Sequence, residues 1–200
     1  MRFLRVMFIS TEIAGVVLIT PEPIPDERGF FAKTWDQDEF EAHGLARMLA
    51  RNRSYNRERG TLRGMHFQRP PYGQAKLIGC SAGSIYDVAL DLRRDSVTFG
   101  RWTAHELRAG TGEQLYVPEG FAHGYITLEP DTTVEYLVSA PYAPDASDGI
   151  RWDEPAFGIS WPIQPTVMSA RDRSWPASGL QARHVDTQVR EHRHQDARKH

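Results

Sequence analysis

Apolar and polar residues alternate with a period of two along much of the chain after Gly60. Residues 85–92 and 133–138 show this alternation most clearly, and it is typical of β-strands with one buried face. Shorter runs rich in β-branched and aromatic residues occupy positions 14–20, 75–80, 102–107, 114–117 and 125–128. Turns rich in Gly, Pro and Asp separate the runs about every ten residues, and this spacing predicts an all-β sandwich or barrel.

One short helix is predicted between the first strand and Gly60. Asp36, with Glu39 three residues later, forms a capping-box pattern that is typical of a helix N-terminus. Apolar side chains on one helical face follow, although Gly44 interrupts them. Residues 145–176 have no periodic pattern and are rich in Pro, Gly and Trp, so we expect an irregular segment that packs on the sheet.

Composition and charge narrow the class of protein. The 200 residues suit one domain with a hydrophobic core, and the net charge of −2 provides no basic field for nucleic acid. No apolar run is long enough to span a membrane, and the N-terminus lacks a signal-peptide pattern. The single cysteine, Cys80, excludes an intrachain disulfide and a multi-cysteine zinc site. We therefore expect a cytoplasmic protein with neither a nucleic-acid nor a membrane partner.

The last twenty residues differ from the rest of the chain. Residues 181–200 hold four of the eight histidines and almost no apolar side chains, so they cannot bury a hydrophobic face. The sequence therefore predicts a folded domain over residues 1–180 and a polar, His-rich tail over residues 181–200.

Residues 60–68 suit a β-strand but carry Arg63 and His66. Strict alternation would place these two side chains on opposite faces, yet Gly64 between them could host a β-bulge that turns one of them. A buried histidine satisfied by hydrogen bonds is the commoner explanation for such a residue. A polar pocket is the alternative.

His123 follows a turn and is flanked by small residues, so it could bind a ligand or pack in the core. A metal site of the cupin type would need a second histidine two residues from the first. Gln68 follows His66 at that spacing and Tyr125 follows His123, so the pattern argues against a metal site.

Three further residues have ordinary explanations when each is taken singly. Lys76 begins a strand run and would usually be a surface lysine, and Asp172 lies between two arginines that could pair with it on the surface. Tyr136 shares a strand face with valines, so core packing is its ordinary explanation, and its hydroxyl would be buried and needs a partner.

Together, these residues and their neighbouring motifs resemble the dTDP-4-dehydrorhamnose 3,5-epimerase family. The matching segments follow one another in the family's order over almost the whole predicted domain. They are DERGFF (26–31), NRSYN (52–56), GTLRGMHFQ (60–68), QAK (74–76), DVALD (87–91), SVTFG (96–100), VPEGFAHG (117–124), Tyr136, YAP (142–144), GISWP (158–162) and SARD (169–172).

The resemblance implies a cupin-like jelly-roll β-sandwich with a few short helices, which works as a homodimer without metal or other cofactor. It implies a nucleotide-sugar substrate, a nucleoside-diphosphate 4-keto-6-deoxyhexose. The reaction would be epimerisation at C3, C5 or both, by removal of a proton next to the ketone and its return on the opposite face. Such chemistry needs a base, a group that stabilises the enolate and an acid on the far side.

Each role falls on a residue that matches the family's motif. The resemblance implies that His66 is the base, Asp172 the carboxylate that pairs with it, Lys76 the cation for the enolate oxygen and Tyr136 the acid. The substrate-binding residues that it implies are Arg28, Phe31, Lys33, Asn52, Arg63, His123 and Arg171.

Some positions depart from the family pattern. Lys33 stands where a glutamate is usual, Ser147 stands where an acidic residue is frequent, and the stretch before Gly60 is one residue longer. These departures predict a relative that acts on a different nucleotide sugar or epimerises one carbon only. The alternative functions are a cupin that binds a nucleotide sugar without epimerising it and a sugar-nucleotide ketoisomerase.

Overall fold

The computed structural model describes residues 4–177, so the predicted tail at residues 181–200 lies outside the described residues. Two α-helices, α1 (Gln37–Ala42) and α2 (Ala170–Arg173), and a 3-10 turn at Pro144–Ala146 accompany the strands. The strands are β1 (Val6–Ser10), β2 (Val17–Pro21), β3 (Ile24–Asp26), β4 (Gly29–Phe31), β5 (Ala50–Asn56), β6 (Thr61–Gln68), β7 (Lys76–Ala82), β8 (Ser84–Asp91), β9 (Trp102–Arg108), β10 (Gln114–Val117), β11 (Phe121–Thr127), β12 (Thr132–Val138), β13 (Ser147–Gly149) and β14 (Val167–Met168).

Two main sheets form a sandwich, and β3 and β4 make a separate hairpin. The first sheet has the order β1-β2-β10-β7-β12-β5, and the second has the order β13-β6-β11-β8-β9, with β14 added in parallel on β6. All other pairings are antiparallel. The predicted all-β, jelly-roll-like sandwich is thereby confirmed.

A hydrophobic core fills the space between the two sheets. Its residues come from alternate positions of strands in both sheets, as the period-two pattern requires. They include Ile78, Leu115 and Val134 from the first sheet and Ile85, Ala89, Leu107, Phe121 and Tyr125 from the second. Polar residues on these same inward faces must therefore lie either within this core or at its open end.

The outer face of each sheet is also covered. Helix α1 places Phe40 against Ile19 and Leu77 of the first sheet. The segment after β13 places Ile150 and Phe157 against the second sheet, which confirms that this region packs on the sheet. The prediction of an irregular segment over residues 145–176 holds only in part, since β13, β14 and α2 lie within it. Because both outer faces are covered, the two sheets are held from outside as well as from within.

The predicted helix is observed, and its N-terminus has the predicted cap. The Asp36 carboxylate accepts a hydrogen bond of 3.1 Å from the backbone N–H of Glu39. The chain leaves the helix near Gly44, whose φ of +78° is a conformation that favours glycine. No helix within residues 4–177 is long and apolar enough to cross a membrane.

Candidate active site

A β-bulge in β6 brings Arg63 and His66 to the same face. His66 pairs with His123 of β11, and Arg63 pairs with Tyr125, so three steps along β6 match two steps along β11. The extra residue lies at Gly64, which has a φ of +150° and packs so tightly on β11 that an added Cβ would lie 2.6 Å from the Gly124 Cα atom. The bulge predicted from the sequence is thereby confirmed, and it turns both polar side chains toward the space between the sheets.

His66 forms a hydrogen-bonded pair with Asp172. The imidazole Nε2 lies 2.7 Å from a carboxylate oxygen of Asp172, and the Asp172 side chain is almost fully buried. Burial alone would raise the pKa of Asp172, but the hydrogen bond and charge of His66 outweigh it, with help from the Gly64 N–H and Ser169. The pKa of Asp172 is therefore below its usual value, and the ionised carboxylate accepts a hydrogen bond from Nε2–H. The other ring nitrogen, Nδ1, makes no hydrogen bond with any residue in the described range and is free to take a proton.

Asp172 reaches His66 because α2 begins beside β6. The hydroxyl of Ser169 caps this short helix by accepting a 3.0 Å hydrogen bond from the Asp172 N–H. The two partners are 106 positions apart in the sequence. The pattern of neighbouring residues in the sequence therefore cannot show that His66 and Asp172 form a pair.

A second pair of histidine and aspartate lies deeper in the sandwich. His123 Nε2 is 2.8 Å from an oxygen of Asp87, and the Asp87 side chain is fully buried. Burial lowers the pKa of His123 more than the Asp87 carboxylate raises it, and the charges of Lys76 and His66 lower it further. His123 is therefore neutral near pH 7. It donates Nε2–H to Asp87.

Lys76 faces these two histidines from the opposite sheet. It lies two residues before Ile78, a core residue, and so shares the inward face of β7. Burial lowers the pKa of the Lys76 ammonium to about 8, and the negative charge of Asp87 opposes that shift. The ordinary explanation of Lys76 as a surface lysine is therefore wrong, since it is a desolvated cation within the site.

Tyr136 also projects from the first sheet. Its Cα partners are Asn52 on β5 and Ile78 on β7, so its ring shares the inward face with Lys76. The ring is partly buried against the core, and its hydroxyl makes no hydrogen bond with any residue from 4 to 177. The hydroxyl is not among the buried polar atoms that lack a partner, so the prediction that it would be buried is wrong, and it is open to a ligand.

A polar wall links the two sheets near β5. Arg63 Nε donates a 2.8 Å hydrogen bond to Asn56 Oδ1, and the Tyr125 hydroxyl donates a 3.0 Å bond to Ser54 Oγ. Tyr125 is therefore already committed to a protein partner, unlike Tyr136. Asn52, the predicted binding residue on β5, is exposed at the open end of this wall.

Arg171 lies at the rim of the site. Its guanidinium donates a 2.9 Å hydrogen bond to Ser147 Oγ, contacts the Tyr142 hydroxyl at 3.4 Å, and lies over the ring of Trp175. Ser147 thus provides a neutral acceptor for this arginine.

The structure does not bring three of the predicted substrate-binding residues to this site. Arg28 is on the turn of the β3–β4 hairpin, where its guanidinium pairs with Asp26, and Phe31 is exposed on β4. Lys33 lies 2.5 Å from Glu39 at the start of α1, so its charge is neutralised within its own chain. Their roles in substrate binding stay predictions.

Asp87 is a site residue that the residue-by-residue sequence argument missed. The signal that could have found it is an aspartate on the inward face of a strand, between Ile85 and Ala89. One oxygen of Asp87 accepts from His123, and the other, Oδ2, is buried without a hydrogen-bond partner among the described residues. Its charge is instead balanced by Lys76 across the sandwich.

This arrangement suits proton transfer on two sides of one small molecule. The His66–Asp172 pair stands on one sheet, while the free hydroxyl of Tyr136 and the cation of Lys76 stand on the other. A base and an acid on opposite walls, with a cation beside them, can move protons at a carbon next to a carbonyl group. No group of three or more His, Cys, Asp or Glu within residues 4–177 is arranged to hold a metal ion.

Comparison with known proteins gives consistent matches. A sequence model of dTDP-4-dehydrorhamnose 3,5-epimerase matches residues 10–179. The dTDP-4-dehydrorhamnose 3,5-epimerase of Sinorhizobium fredii is 42% identical over 172 residues, which cover 85% of this chain and 88% of that protein.

Solved structures show the same similarity. The dTDP-4-dehydrorhamnose 3,5-epimerase of Bacillus anthracis, with TDP and PPi bound, has a TM-score of 0.83 and 40% identity, covering 86% of this chain and 99% of that one. The dTDP-6-deoxy-D-glucose-3,5-epimerase of Legionella pneumophila, in complex with dTDP-4-keto-L-rhamnose, has a TM-score of 0.80 and 32% identity, covering 86% and 92%.

Proposed function

We propose a mechanism from the premise that this chain belongs to the dTDP-4-dehydrorhamnose 3,5-epimerase family. The chain is accordingly an isomerase that epimerises a nucleotide-linked 4-keto-6-deoxyhexose at C3 and C5. Epimerisation is supported over the two alternatives, a binding-only cupin and a ketoisomerase. The roles of individual residues are our proposal.

In the first step, His66 Nδ1 removes a proton from the carbon next to the 4-keto group. The electron pair of that C–H bond moves into the ring, and negative charge develops on the ketone oxygen. Lys76 stabilises this enolate because its ammonium is desolvated, which strengthens its interaction with the new charge. Asp172 stabilises the imidazolium that forms and keeps Nε2 protonated.

In the second step, Tyr136 returns a proton to the same carbon from the opposite side. The enolate collapses to the ketone, a new C–H bond forms and the configuration is inverted. Solvent then restores the proton of Tyr136, and His66 releases the proton that it took. Repetition of the two steps at the second carbon completes the double epimerisation.

One observation carries the proposal: the His66–Asp172 pair and the free hydroxyl of Tyr136 stand on opposite sheets. The desolvated ammonium of Lys76 lies on the same sheet as Tyr136 and can stabilise the enolate. A site that only bound a sugar would not need a buried carboxylate behind a histidine whose second nitrogen is uncommitted. Arg63 in the polar wall and Asn52 at its open end supply groups that can bind the hydroxyls and phosphates of the substrate.

Hydrogen exchange at carbon tests this function directly. We expect incubation with dTDP-4-keto-6-deoxyglucose in heavy water to place deuterium at C3 and C5, detected by proton NMR and mass spectrometry. The reason is that each enolate is reprotonated by groups in equilibrium with solvent. Absence of exchange at both carbons, with thymidine, uridine and guanosine diphosphate sugars alike, would show that the proposed function is wrong.

The pH dependence of the rate should reflect Lys76. The protonated amine is the active form, so kcat/KM should fall as the pH rises through about 8, where this lysine loses its charge. Asp87→Asn removes the carboxylate that favours the charged amine, so the alkaline limb should move to lower pH. We expect a several-fold loss of activity at pH 8 and a smaller loss at pH 6.

A matched variant separates this effect from a general change in charge. Asp153→Asn removes an exposed carboxylate that pairs only with Arg151 in the described part of the chain, so its pH profile should match that of the wild type. If the Asp87→Asn profile also coincided with the wild-type profile, the coupling between Asp87 and Lys76 would be disproved.

We also propose that the protein is a homodimer. Strand β1 is an open edge of the first sheet and exposes Met7 and Ile9, and the neighbouring hairpin exposes Phe30 and Phe31. Open edges and apolar patches of this kind favour association with a second copy. Sedimentation equilibrium should give twice the 22.8 kDa mass of one chain, and a mass of one chain at micromolar concentration would contradict the proposal.

A cytoplasmic location is proposed as well. Cys80 is a free thiol and the sequence contains no second cysteine, which suits a reducing compartment. Cell fractionation would test this location.

A further inference from the structure

Trp175 lies beside the base of the site, although no role in the mechanism has been given to it. Its ring centroid is 6.2 Å from that of His66, with an angle of 67° between the planes, which is an edge-to-face contact. Trp175 is also only three residues beyond Asp172, just after the end of α2. One side chain therefore contacts one member of the His66–Asp172 pair and adjoins the other in sequence.

The second sheet provides a place for the indole at Gly149. Gly149 on β13 is the backbone partner of His66, so both residues face the same side of the sheet. A Cβ atom at Gly149 would overlap the six-membered ring of Trp175, and only glycine leaves room for the indole here. The backbone conformation of Gly149 has an ordinary φ, so the requirement for glycine comes from the tryptophan and not from the turn of the chain.

Packing, and not hydrogen bonding, holds the indole. Its Nε1 is buried and has no hydrogen-bond partner among residues 4–177. The guanidinium of Arg171 lies 5.0 Å from the ring centre, and Arg171 is itself anchored to Ser147 at the start of β13. The ring thus ties the last turn of the described chain to the edge of the second sheet.

Helix α2 depends on such contacts. It has only four residues, and so short a helix has little stability of its own. Ser169 caps its first turn, and Trp175 is the large apolar side chain that anchors the chain just after it. Asp172 lies between Ser169 and Trp175 in the sequence, so the contacts of these two residues determine where Asp172 is placed.

We propose that Trp175 is a positioning residue for the proton-transferring pair. Docking of its indole over Gly149 holds α2 so that Asp172 stays within hydrogen-bond distance of His66. This inference rests on the proposed function, because it assumes that His66 is the base. It adds a residue that acts through Asp172 and His66 without touching the reacting carbon.

Removal of the ring should slow the chemistry more than it weakens binding. For Trp175→Ala we expect kcat and the rate of deuterium entry at C3 and C5 to fall together by about 10- to 100-fold, with a much smaller change in KM, because the base is misaligned by a fraction of an ångström. Trp175→Phe keeps a flat ring over Gly149 and should recover most of the rate.

Gly149→Ala is an independent way to remove the indole from its place over Gly149. The added methyl group displaces the indole, so this variant should show the same loss of kcat while Trp175 is still present. In the Trp175→Ala background the same substitution should have little further effect, because no ring remains to be displaced. Additive losses in this double-mutant cycle would contradict the proposal.

Two controls separate positioning from simple loss of stability. Trp161→Ala removes a tryptophan that packs on the outer face of the same sheet, so it should lower the thermal midpoint and leave kcat within about two-fold. In protein labelled with 15N-histidine, the Nε2–H signal of His66 should shift in Trp175→Ala and Gly149→Ala, and stay unchanged in Trp161→Ala.

The outcomes are distinguishable from failure of the proposed function. If the wild type places no deuterium in any substrate, the function itself is wrong. If the wild type exchanges normally and Trp175→Ala and Gly149→Ala do so equally fast with an unshifted His66 signal, the positioning role is wrong. Should Trp175→Ala fail to fold, Gly149→Ala and Trp175→Phe decide the question.

Discussion

Replacement of His66 with asparagine is expected to abolish both product formation and the entry of deuterium at C3 and C5. Asparagine keeps a polar side chain beside Asp172 but has no nitrogen that can accept a proton near pH 7. A positioned general base contributes about 10²- to 10⁴-fold, so kcat should fall by about that factor, with no enolate formed at either carbon. The measurement is the initial rate of exchange in heavy water, followed by proton NMR.

A matched variant is available at another histidine. His43 is exposed at the end of α1, where its Nδ1 lies 2.8 Å from the Glu39 carbonyl oxygen. His43→Asn should therefore leave both rates near those of the wild type. Binding of the nucleotide sugar to His66→Asn, measured by calorimetry, should also persist. A His66→Asn protein that binds substrate and still exchanges deuterium at the wild-type rate would rule out His66 as the base.

Replacement of Tyr136 with phenylalanine is expected to separate exchange from inversion. Abstraction at His66 does not need the far-side acid, so deuterium should still enter the substrate and return on the original face. Inversion needs a proton from the opposite sheet, so formation of the epimer should fall by about 10²- to 10⁴-fold. Recovered sugar should therefore carry deuterium with its configuration retained, as determined by proton NMR coupling constants.

Tyr136→Phe is expected to remove the hydroxyl without disturbing other contacts of the protein. The Tyr136 hydroxyl makes no hydrogen bond with another residue in the range 4–177, so its removal leaves no buried group without a partner, and stability should change by less than about 0.5 kcal/mol. Tyr55→Phe, which removes an exposed hydroxyl bonded to Asp131, is the matched control and should epimerise normally. Equal loss of exchange and inversion in Tyr136→Phe would contradict the role of Tyr136 as the far-side acid.

Alternation along the chain predicted most of the strands that carry the site. The runs at 85–92 and 133–138 correspond to β8 and β12. The apolar face of β12 packs in the core as the pattern indicates, whereas β8 is buried on both faces and its more apolar face, with Val88 and Leu90, packs under the irregular segment. Period two is enough for this result because a strand with one buried face must place apolar residues at every second position. Gly64 and Asp36 were informative for a similar local reason, since a bulge and a cap each need particular residue types. The helical face predicted to continue through Leu45 and Met48 is not observed, because α1 ends at Ala42.

Alternation did not predict β5, which supplies one wall of the site. Its outer positions carry Arg51 and Arg53, which pair with Glu135, and its inner positions carry Asn52, Ser54 and Asn56. As an edge strand at the open end of the sandwich, β5 is polar on both faces. A strand of this kind leaves no hydrophobic pattern for the sequence to display.

The sequence by itself determined the fold class, most of the strands and, through resemblance, the family and the residue types of the proton-transfer groups. The resemblance also implied the pair of Asp172 with His66, and the structure gives its geometry. Only the tertiary structure decided that Asp87 meets His123 and Lys76, and that Lys33 meets Glu39. The physical reason is that burial of a face is a local property, written as periodicity over a few residues. The pKa of a lysine, the free nitrogen of a histidine and the free hydroxyl of a tyrosine depend instead on groups that approach from the opposite sheet, across long sequence separations and through one bulge that shifts the register.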